Sequence, residues 1–277
     1  MKKKQYIHSI SVISGIMAMI LLILSGCNTS TKKQENVTSD DLDPVPKEEV
    51  IKELSGYPIP DSYEITKLIY ESGAPYILSL SNSAAKAGDY ITHRDKVLNL
   101  GVYATDLCYA TTYMMKQATM NYLEASKTLI DDLGISTTFN VDYAARIERN
   151  MDNRDSLINI VSESFGDTWN YLVQNEQDVL ARLVVCGSWI EGMYITSNVS
   201  SRARDNTEIL SILAKQKNSL IELVSLLEPV KDVEEVASIF QGLYNLQDIY
   251  EGVGDVLTAD QLESITSQIE VLRSSIV

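Results

Sequence analysis

Two nearly uncharged segments constrain the fold of this chain more than any other feature. The nineteen residues from Val97 to Met115 carry a single charge, at Asp106. The nineteen residues from Leu183 to Ser201 also carry a single charge, at Glu191. A helix without charge on any side has no face to present to water, so both segments are predicted to lie at the centre of a helical bundle. Thr, Ser, Asn, Gly and a central acid interrupt each one, so neither is expected to span a membrane.

The remainder of the chain also favours helices, which predicts an all-α fold built as a single multi-helix bundle. Five of the six prolines precede residue 76, and no stretch of five or more residues alternates as a strand would. We expect helices over residues 61–72, 74–81, 92–133, 140–150, 155–174, 176–198, 202–227, 233–251 and 259–275. The first of these would begin with a capping box at Asp61-Ser-Tyr-Glu64.

The two central segments resemble each other. Asp106-x-x-Tyr109-x-Thr111 recurs as Glu191-x-x-Tyr194-x-Thr196, 85 residues later. Two interpretations stand. One is a duplicated helical hairpin with halves of about 90–175 and 176–277, and the other is chance likeness between two buried helices.

A second spacing bears on where the helices turn. Tyr109, Ala118, Tyr122 and Ala125 are spaced as in the tetratricopeptide repeat, which this stretch resembles. There is no 34-residue period, so the resemblance only predicts turns near residues 115 and 200.

The N-terminal residues have the pattern of an export signal. Three lysines at positions 2–4 precede an apolar run over residues 7–24, and the run ends in Leu24-Ser25-Gly26-Cys27. This ending resembles the lipobox of bacterial lipoproteins. The resemblance implies a signal peptide over residues 1–26 and a Cys27 that carries diacylglycerol and an acyl chain such as palmitate, a stable membrane anchor. A plain transmembrane anchor or an ordinary secretory signal is the alternative.

The segment after Cys27 has the composition of a tether. Residues 27–46 are rich in Thr, Lys, Glu and Asp, and they are expected to stay flexible between the membrane and a helical domain over residues 47–277. The residue that follows the cysteine is Asn28. In this respect the chain resembles the lipoproteins that a Gram-negative cell sends to its outer membrane. The predicted location is therefore the cell envelope.

Charge and composition exclude several functions. Loss of residues 1–26 removes three lysines, so the formal net charge of −15 becomes −18, which argues against a nucleic-acid partner. His8 would leave with the signal, and a lone His93 cannot supply a serine-protease triad, a di-iron site or a zinc site. We predict no metal and no cofactor.

Cys108 and Cys186 are expected to be two buried thiols, or a disulfide if their helices touch.

Asp106 and Glu191 are the candidates for a functional site. A buried carboxylate needs hydrogen bonds or a charged partner. In a structural interpretation each acid fixes the core. In a binding interpretation both acids help to line a polar pocket for a small ligand. In a third, the two carboxylates catalyse hydrolysis. The predicted pocket comprises Tyr103, Asp106, Tyr109, Trp189, Glu191 and Tyr194.

The helix around Asp106 has two different faces. Tyr103, Asp106 and Tyr109 share one, whereas Gly101, Thr105 and Cys108 form a ridge of small side chains on the other. The ridge is predicted to meet a neighbouring helix at short range. The tyrosine face is predicted to look toward Glu191 or into a cavity.

Three stretches of sequence carry a wider resemblance. They begin at Gly101-Val-Tyr-Ala-Thr-Asp, at Asn153-Arg-Asp-Ser-Leu-Ile and at Gly187-Ser-Trp-Ile-Glu-Gly. Over roughly residues 55–275 the chain resembles a group of helix-rich bacterial envelope lipoproteins. The resemblance implies an all-helical fold and a lipid anchor, and it implies no activity. We therefore predict a non-catalytic binding or scaffold domain with an unidentified protein or small-molecule partner, and a carboxylate-based hydrolase is the alternative.

Overall fold

The computed structural model describes residues 62–135, 142–201 and 206–277, and these form an all-α protein without strands. The predicted fold class is therefore confirmed. The nine α-helices of the described ranges are α1 (Ser62–Glu71), α2 (His93–Thr112), α3 (Lys116–Asp132), α4 (Asp142–Arg149), α5 (Arg154–Gln174), α6 (Asp178–Ser200), α7 (Thr207–Leu227), α8 (Glu234–Tyr250) and α9 (Ala259–Ser274). Cys27, the signal peptide, the tether and Asp61 lie outside the described residues.

One predicted helix is divided in two. The stretch 92–133 contains α2 and α3, which are separated at Tyr113–Met115. Met114 has a positive φ of 57°, and the amide of Met115 donates to the carbonyl of Ala110 at 2.9 Å. A left-handed residue of this kind ends a helix, and glycine normally occupies the position. The turns predicted near residues 115 and 200 are both present.

The two matched helices, α2 and α6, form the centre of the bundle and share its most extensive helix–helix contact. A Cβ atom added to Gly101 would come within 2.7 Å of the Ser188 amide nitrogen, and one added to Gly187 within 2.9 Å of the Leu98 carbonyl carbon. The hydroxyl of Thr105 donates to the carbonyl of Ser188 at 3.0 Å. The predicted ridge of small residues therefore does face a neighbouring helix at short range.

Both central helices are buried on all sides, as their lack of charge predicted. Every residue from Val97 to Tyr103 and from Leu183 to Met193 is buried, which is more than one full turn of each helix. By length and composition α6 could cross a membrane, contrary to our expectation, with a mean hydropathy of 1.3. However, 83% of that stretch is buried inside the protein, as in the core helix of a globular fold.

A segment that we call the strap, residues 74–90, crosses the tyrosine face of α2. The predicted helix over 74–81 is wrong, because only the 3-10 turn Leu78–Leu80 forms there. Tyrosine hydroxyls bond to the strap backbone instead: Tyr113 donates to the Ala74 carbonyl at 2.7 Å and Tyr103 to the Ser83 carbonyl at 2.8 Å. A second 3-10 turn, Ala84–Asp89, packs on α3.

Candidate functional site

A buried ion pair lies beside the central helices. Glu191 of α6 is fully buried, and both of its oxygens bind Arg273 of α9. Arg273 Nε donates to Oε2 at 2.6 Å and Nη2 donates to Oε1 at 2.9 Å, the bidentate geometry that suits a guanidinium and a carboxylate. The guanidinium also contacts the Leu80 carbonyl of the strap at 3.2 Å and lies 4.0 Å from the ring centroid of Tyr194. The pair thus connects α6, α9 and the strap.

Asp106 is the second acid of this cluster, and it has no cation of its own. It is fully buried, and its Oδ2 accepts a hydrogen bond from the Asn82 amide at 3.0 Å. Its Oδ1 forms no hydrogen bond within the described residues. Burial, and then the nearby Glu191, raise the pKa of Asp106 well above its ordinary value, while Ser81, Arg273 and the Asn82 amide act to lower it. Since Glu191 has the guanidinium, we assign the proton of the pair to Asp106.

Asn82 holds the strap against Asp106. Its side-chain amide donates to the Tyr90 hydroxyl at 2.8 Å and to the side-chain oxygen of Asn99 at 3.2 Å. Asn82 is therefore fixed on two sides while its backbone amide reaches Asp106. A hydrogen bond to a carboxyl oxygen from a fixed donor orients the acid.

A cavity of about 580 Å³ opens between the strap and the start of α3. It is partly open to solvent. Its polar lining residues are Tyr76, Ser81, Asn82, Ser83, Lys116, Gln117, Asn121 and Tyr122. Its apolar lining residues are Leu78, Ala84, Met114, Met115 and Ala118. A cavity of this size, with aromatic rings and a few polar groups, is typical of a small-molecule site.

Two hydroxyl groups on this lining lack hydrogen-bond partners among the described residues. Tyr76 Oη and Ser81 Oγ are buried and form no hydrogen bond within the described part of the chain. Tyr122, which is only 4% exposed, also lines the cavity, and its hydroxyl lies close to Ser81. Ser81 lies close enough to lower the pKa of Tyr76, Tyr122 and Asp106, so the four groups form one cluster. Burial, then Asp106, nevertheless raise the pKa of Tyr122 to about 12.

The charge on the cavity lining differs from that of the protein as a whole. The chain has 38 acidic and 23 basic side chains, yet the cavity is lined by one charged residue, Lys116, and by no acid. Lys116 begins α3, and the cap residue Met115 supplies no side-chain hydrogen bond to the first-turn amides. The Lys116 ammonium is paired with Asp152 at the surface, and the Lys116 amide donates to the Met114 carbonyl at 3.1 Å, so the one charged residue of the lining already has an acidic partner.

The six residues predicted to form a pocket occupy three environments. Asp106, Glu191 and Tyr194 belong to the cluster around Arg273. Tyr103 and Tyr109 are fully buried beneath the strap, where the Tyr109 hydroxyl accepts from the Ile77 amide at 2.9 Å. Trp189 lies in the core, 1% exposed, and its indole N–H has no acceptor in the described residues. None of the six lines the cavity, although Ser81, which does line it, lies close to Asp106.

Four residues that matter here were missed by sequence reasoning: Arg273, Tyr76, Ser81 and Tyr122. A signal existed for Arg273, because it lies four residues after the buried Ile269, next to the buried Leu272, and is the only basic residue of α9. A lone arginine beside a buried helix face indicates a buried acidic partner. Tyr76 and Ser81 carried no such signal, since their environment depends on the path of the strap.

The cysteines and acids form no further site in the described residues. Cys108 and Cys186 are both buried thiols rather than a disulfide, and burial raises the pKa of the Cys186 thiol beyond the reactive range. No group of three or more His, Cys, Asp or Glu side chains in residues 62–135, 142–201 and 206–277 could hold a metal ion.

No protein-family model matches the chain, and neither curated proteins nor solved structures give a match. The fold and the site therefore define the class: an all-α protein in which a buried carboxylate–arginine cluster lies beside a polar cavity.

Proposed function

We propose that this protein is a lipid-anchored binding protein of the cell envelope. Cys27 would carry the lipid, residues 28–46 would act as a tether, and the helical domain would take a small molecule into the cavity between the strap and α3. The export-signal pattern and the lipobox-like Leu24-Ser25-Gly26-Cys27 support the anchor. The binding site is supported by the geometry of the cavity.

One observation carries the binding role. Buried polar atoms are almost always hydrogen-bonded, because leaving one unpaired costs about 1–3 kcal/mol. Tyr76 Oη, Ser81 Oγ and Asp106 Oδ1 are three such unpaired atoms in one cluster, and two of these residues line the cavity. A cluster of this kind has its donors and acceptors available for a ligand, at a stability cost that functional sites often carry.

The geometry favours binding over hydrolysis by the two carboxylates. A hydrolase would need one acid free to act as a base and open to its substrate. Glu191 is fully buried, and Arg273 occupies both of its oxygens. Asp106 is also fully buried and does not line the cavity. This arrangement suits a structural Glu191 and an Asp106 that supports the cavity.

The anchor is tested by a Cys27→Ala variant of the full chain. The unchanged protein should incorporate labelled palmitate and float with membranes in a density gradient, while the variant should do neither. Cys108→Ala serves as the matched control, because this cysteine lies inside the helical domain, and it should leave labelling unchanged. A Cys27→Ala protein that still carries label would overturn the anchor.

The binding role is tested by filling the cavity. Ala118 lines it and is half-buried, so Ala118→Trp should occupy the space that a ligand needs. A screen of small molecules by thermal shift on the full chain should yield compounds that stabilise the unchanged protein but not this variant. Ala237→Trp, on an exposed position of α8, is the control and should keep the response. Equal responses from all three proteins would contradict a role for this cavity.

A further inference from the structure

We propose that the cavity between the strap and α3 binds a small organic amine, whose ammonium group balances the buried charge of Asp106 through the hydroxyls of Ser81 and Tyr76. This inference rests on the proposed binding function and adds the chemical class of the ligand. Three features support it: the charge of the buried cluster, the unpaired atoms between this cluster and the cavity, and the lining of the cavity.

The buried cluster contains more acid than base. Asp106 and Glu191 are both fully buried, and within the described residues a single guanidinium, that of Arg273, lies near both acids. Arg273 directs its hydrogen bonds to Glu191 and to the strap backbone. Two ionised acids beside one cation leave one negative charge, and a buried charge without a partner is costly. In the free protein a proton on Asp106 meets this need, and a bound cation would take the place of that proton.

Two neighbouring residues of the strap connect Asp106 with the cavity. The Asn82 amide donates to Asp106 Oδ2 at 3.0 Å, and Ser81 lies close to the same carboxyl. Both Asn82 and Ser81 line the cavity. Asp106 therefore contacts residues of the cavity wall, so its charge acts on a ligand at short range although Asp106 does not line the cavity itself.

The unpaired atoms of the cluster favour a ligand that donates hydrogen bonds. Asp106 Oδ1, Ser81 Oγ and Tyr76 Oη are buried and form no hydrogen bond within residues 62–135, 142–201 and 206–277. An ionised carboxylate only accepts, so a hydroxyl beside it turns its proton toward the acid and presents its lone pairs to other partners. An ammonium group only donates, and it therefore matches hydroxyls that are oriented in this way.

The remaining lining suits an organic cation with an apolar body. Tyr76 and Tyr122 line the cavity, and aromatic rings attract cations. Leu78 and Met115 also line it and are 59% and 41% exposed, so apolar surface lies at its opening. An amine with an aryl or alkyl portion would cover this surface, whereas a small inorganic ion would leave it in contact with water.

Lys116 does not exclude a cation from the cavity. It is the one charged residue of the lining, but its ammonium is paired with Asp152, and the two side chains are 54% and 89% exposed. Water and salt screen such an exposed pair, whereas they screen a fully buried carboxyl much less. The charge of Asp106 therefore determines which ligand the cavity prefers.

Matched probes that differ in charge test this inference: benzylamine with benzyl alcohol, and hexylamine with hexanol, each titrated into the full chain by calorimetry at pH 7. Each amine should bind about tenfold more tightly than its alcohol, since charge-assisted hydrogen bonds are roughly twice as strong as neutral ones. Asp106→Asn keeps the size of the side chain but cannot ionise, so it should remove most of this preference and leave alcohol binding unchanged. Asp89→Asn, on an exposed acid of the strap that does not line the cavity, is the matched control and should keep the preference.

Ser81→Ala provides a second variant, which keeps the proposal testable if Asp106→Asn does not fold. It removes the hydroxyl between Asp106 and the cavity, so it should weaken the amines severalfold more than the alcohols. Ser79→Ala is its control, because Ser79 is exposed on the neighbouring 3-10 turn and does not line the cavity.

The outcomes separate this inference from the function on which it rests. Equal binding of amine and alcohol in both pairs, or preference for the alcohols, overturns the amine while the cavity remains a binding site. An amine preference that survives both Asp106→Asn and Ser81→Ala overturns the role of the buried charge. Failure of all four probes to bind also overturns the inference, and the Ala118→Trp screen then decides the binding function separately. Amine binding that survives Ala118→Trp places the amine at another site and contradicts the proposal.

Discussion

Arg273 holds Glu191 with two hydrogen bonds, of 2.6 and 2.9 Å, at a point where Glu191 is fully buried and the Arg273 side chain is 14% exposed. The pair connects the last helix of the chain to the central helix α6. Burial alone would lower the pKa of Arg273, but the bonds and charge of Glu191 raise it, so the arginine remains a cation. A chain segment near the C-terminus thus completes the core.

Arg273→Met tests the contribution of this pair. It leaves Glu191 buried without its cation, and breaking a buried ion pair from one side costs about 3–5 kcal/mol. The loss should be larger at pH 8 than at pH 5, because an unpaired buried Glu191 takes up a proton more readily as the pH falls. Urea unfolding followed by circular dichroism measures the free energy of unfolding at each of the two pH values.

Lys231→Met provides the comparison, since Lys231 pairs with Glu228 at the surface and exposed pairs contribute little. Its unfolding curve should stay close to that of the unchanged protein. A loss in Arg273→Met no greater than that in Lys231→Met would show that the buried pair does not stabilise the fold.

Asp106→Asn tests whether Asp106 is protonated. The folded-state pKa of Asp106 lies above its unfolded value of about 3.9, so the folded state binds more protons between these two values. The stability that this group provides is fully present below about pH 4 and is lost as the pH rises through the folded pKa. Asparagine mimics the neutral acid at every pH. The stability of the variant relative to the unchanged protein should therefore rise between pH 5 and pH 8.

The matched substitution is Asp89→Asn, on an exposed acid at the end of a 3-10 turn, which should shift stability equally at both pH values. A large loss of stability in Asp106→Asn at pH 8 would mean that Asp106 is an ionised structural acid, and the proton assignment would be wrong.

The contact between α2 and α6 predicts different effects for two glycines. Gly101→Ala would force a Cβ atom to within 2.7 Å of backbone at Ser188, and backbone cannot move aside, so the loss should reach or exceed the 1–3 kcal/mol of ordinary overpacking. Gly192→Ala meets Ile65 Cδ1 at 3.4 Å and Thr105 Cγ2 at 4.0 Å. It should be tolerated, because alanine favours a helix over glycine by about 0.5–1 kcal/mol.

Thermal unfolding of the two variants gives a direct comparison. If Gly101→Ala proved as stable as Gly192→Ala, this would contradict the close backbone contact between α2 and α6 at Gly101.

The buried centre could be predicted from the sequence because it depends on local composition. A helix whose only charge is Asp106 or Glu191 has to be buried, whatever the rest of the chain does. The same logic located the small ridge at Gly101 and Thr105, which meets α6. Whether the likeness between α2 and α6 reflects duplication stays a prediction.

The cavity could not be predicted, because it depends on a segment with no periodic pattern. The strap satisfies its backbone through Tyr103, Tyr109 and Tyr113, and no local rule connects residue 77 with residue 109. The turn that opens the cavity uses Met114 at a position where glycine is usual, so no residue type marked the end of α2.

The most direct test of the binding site is a crystal structure of the protein isolated from its own cells without denaturation. We expect continuous electron density for an organic molecule in the cavity between the strap and α3. That molecule should accept or donate hydrogen bonds at Tyr76, Ser81 or Tyr122. Density for ordered water alone, with water molecules satisfying all three hydroxyls in an otherwise unchanged cavity, would contradict the proposed binding role.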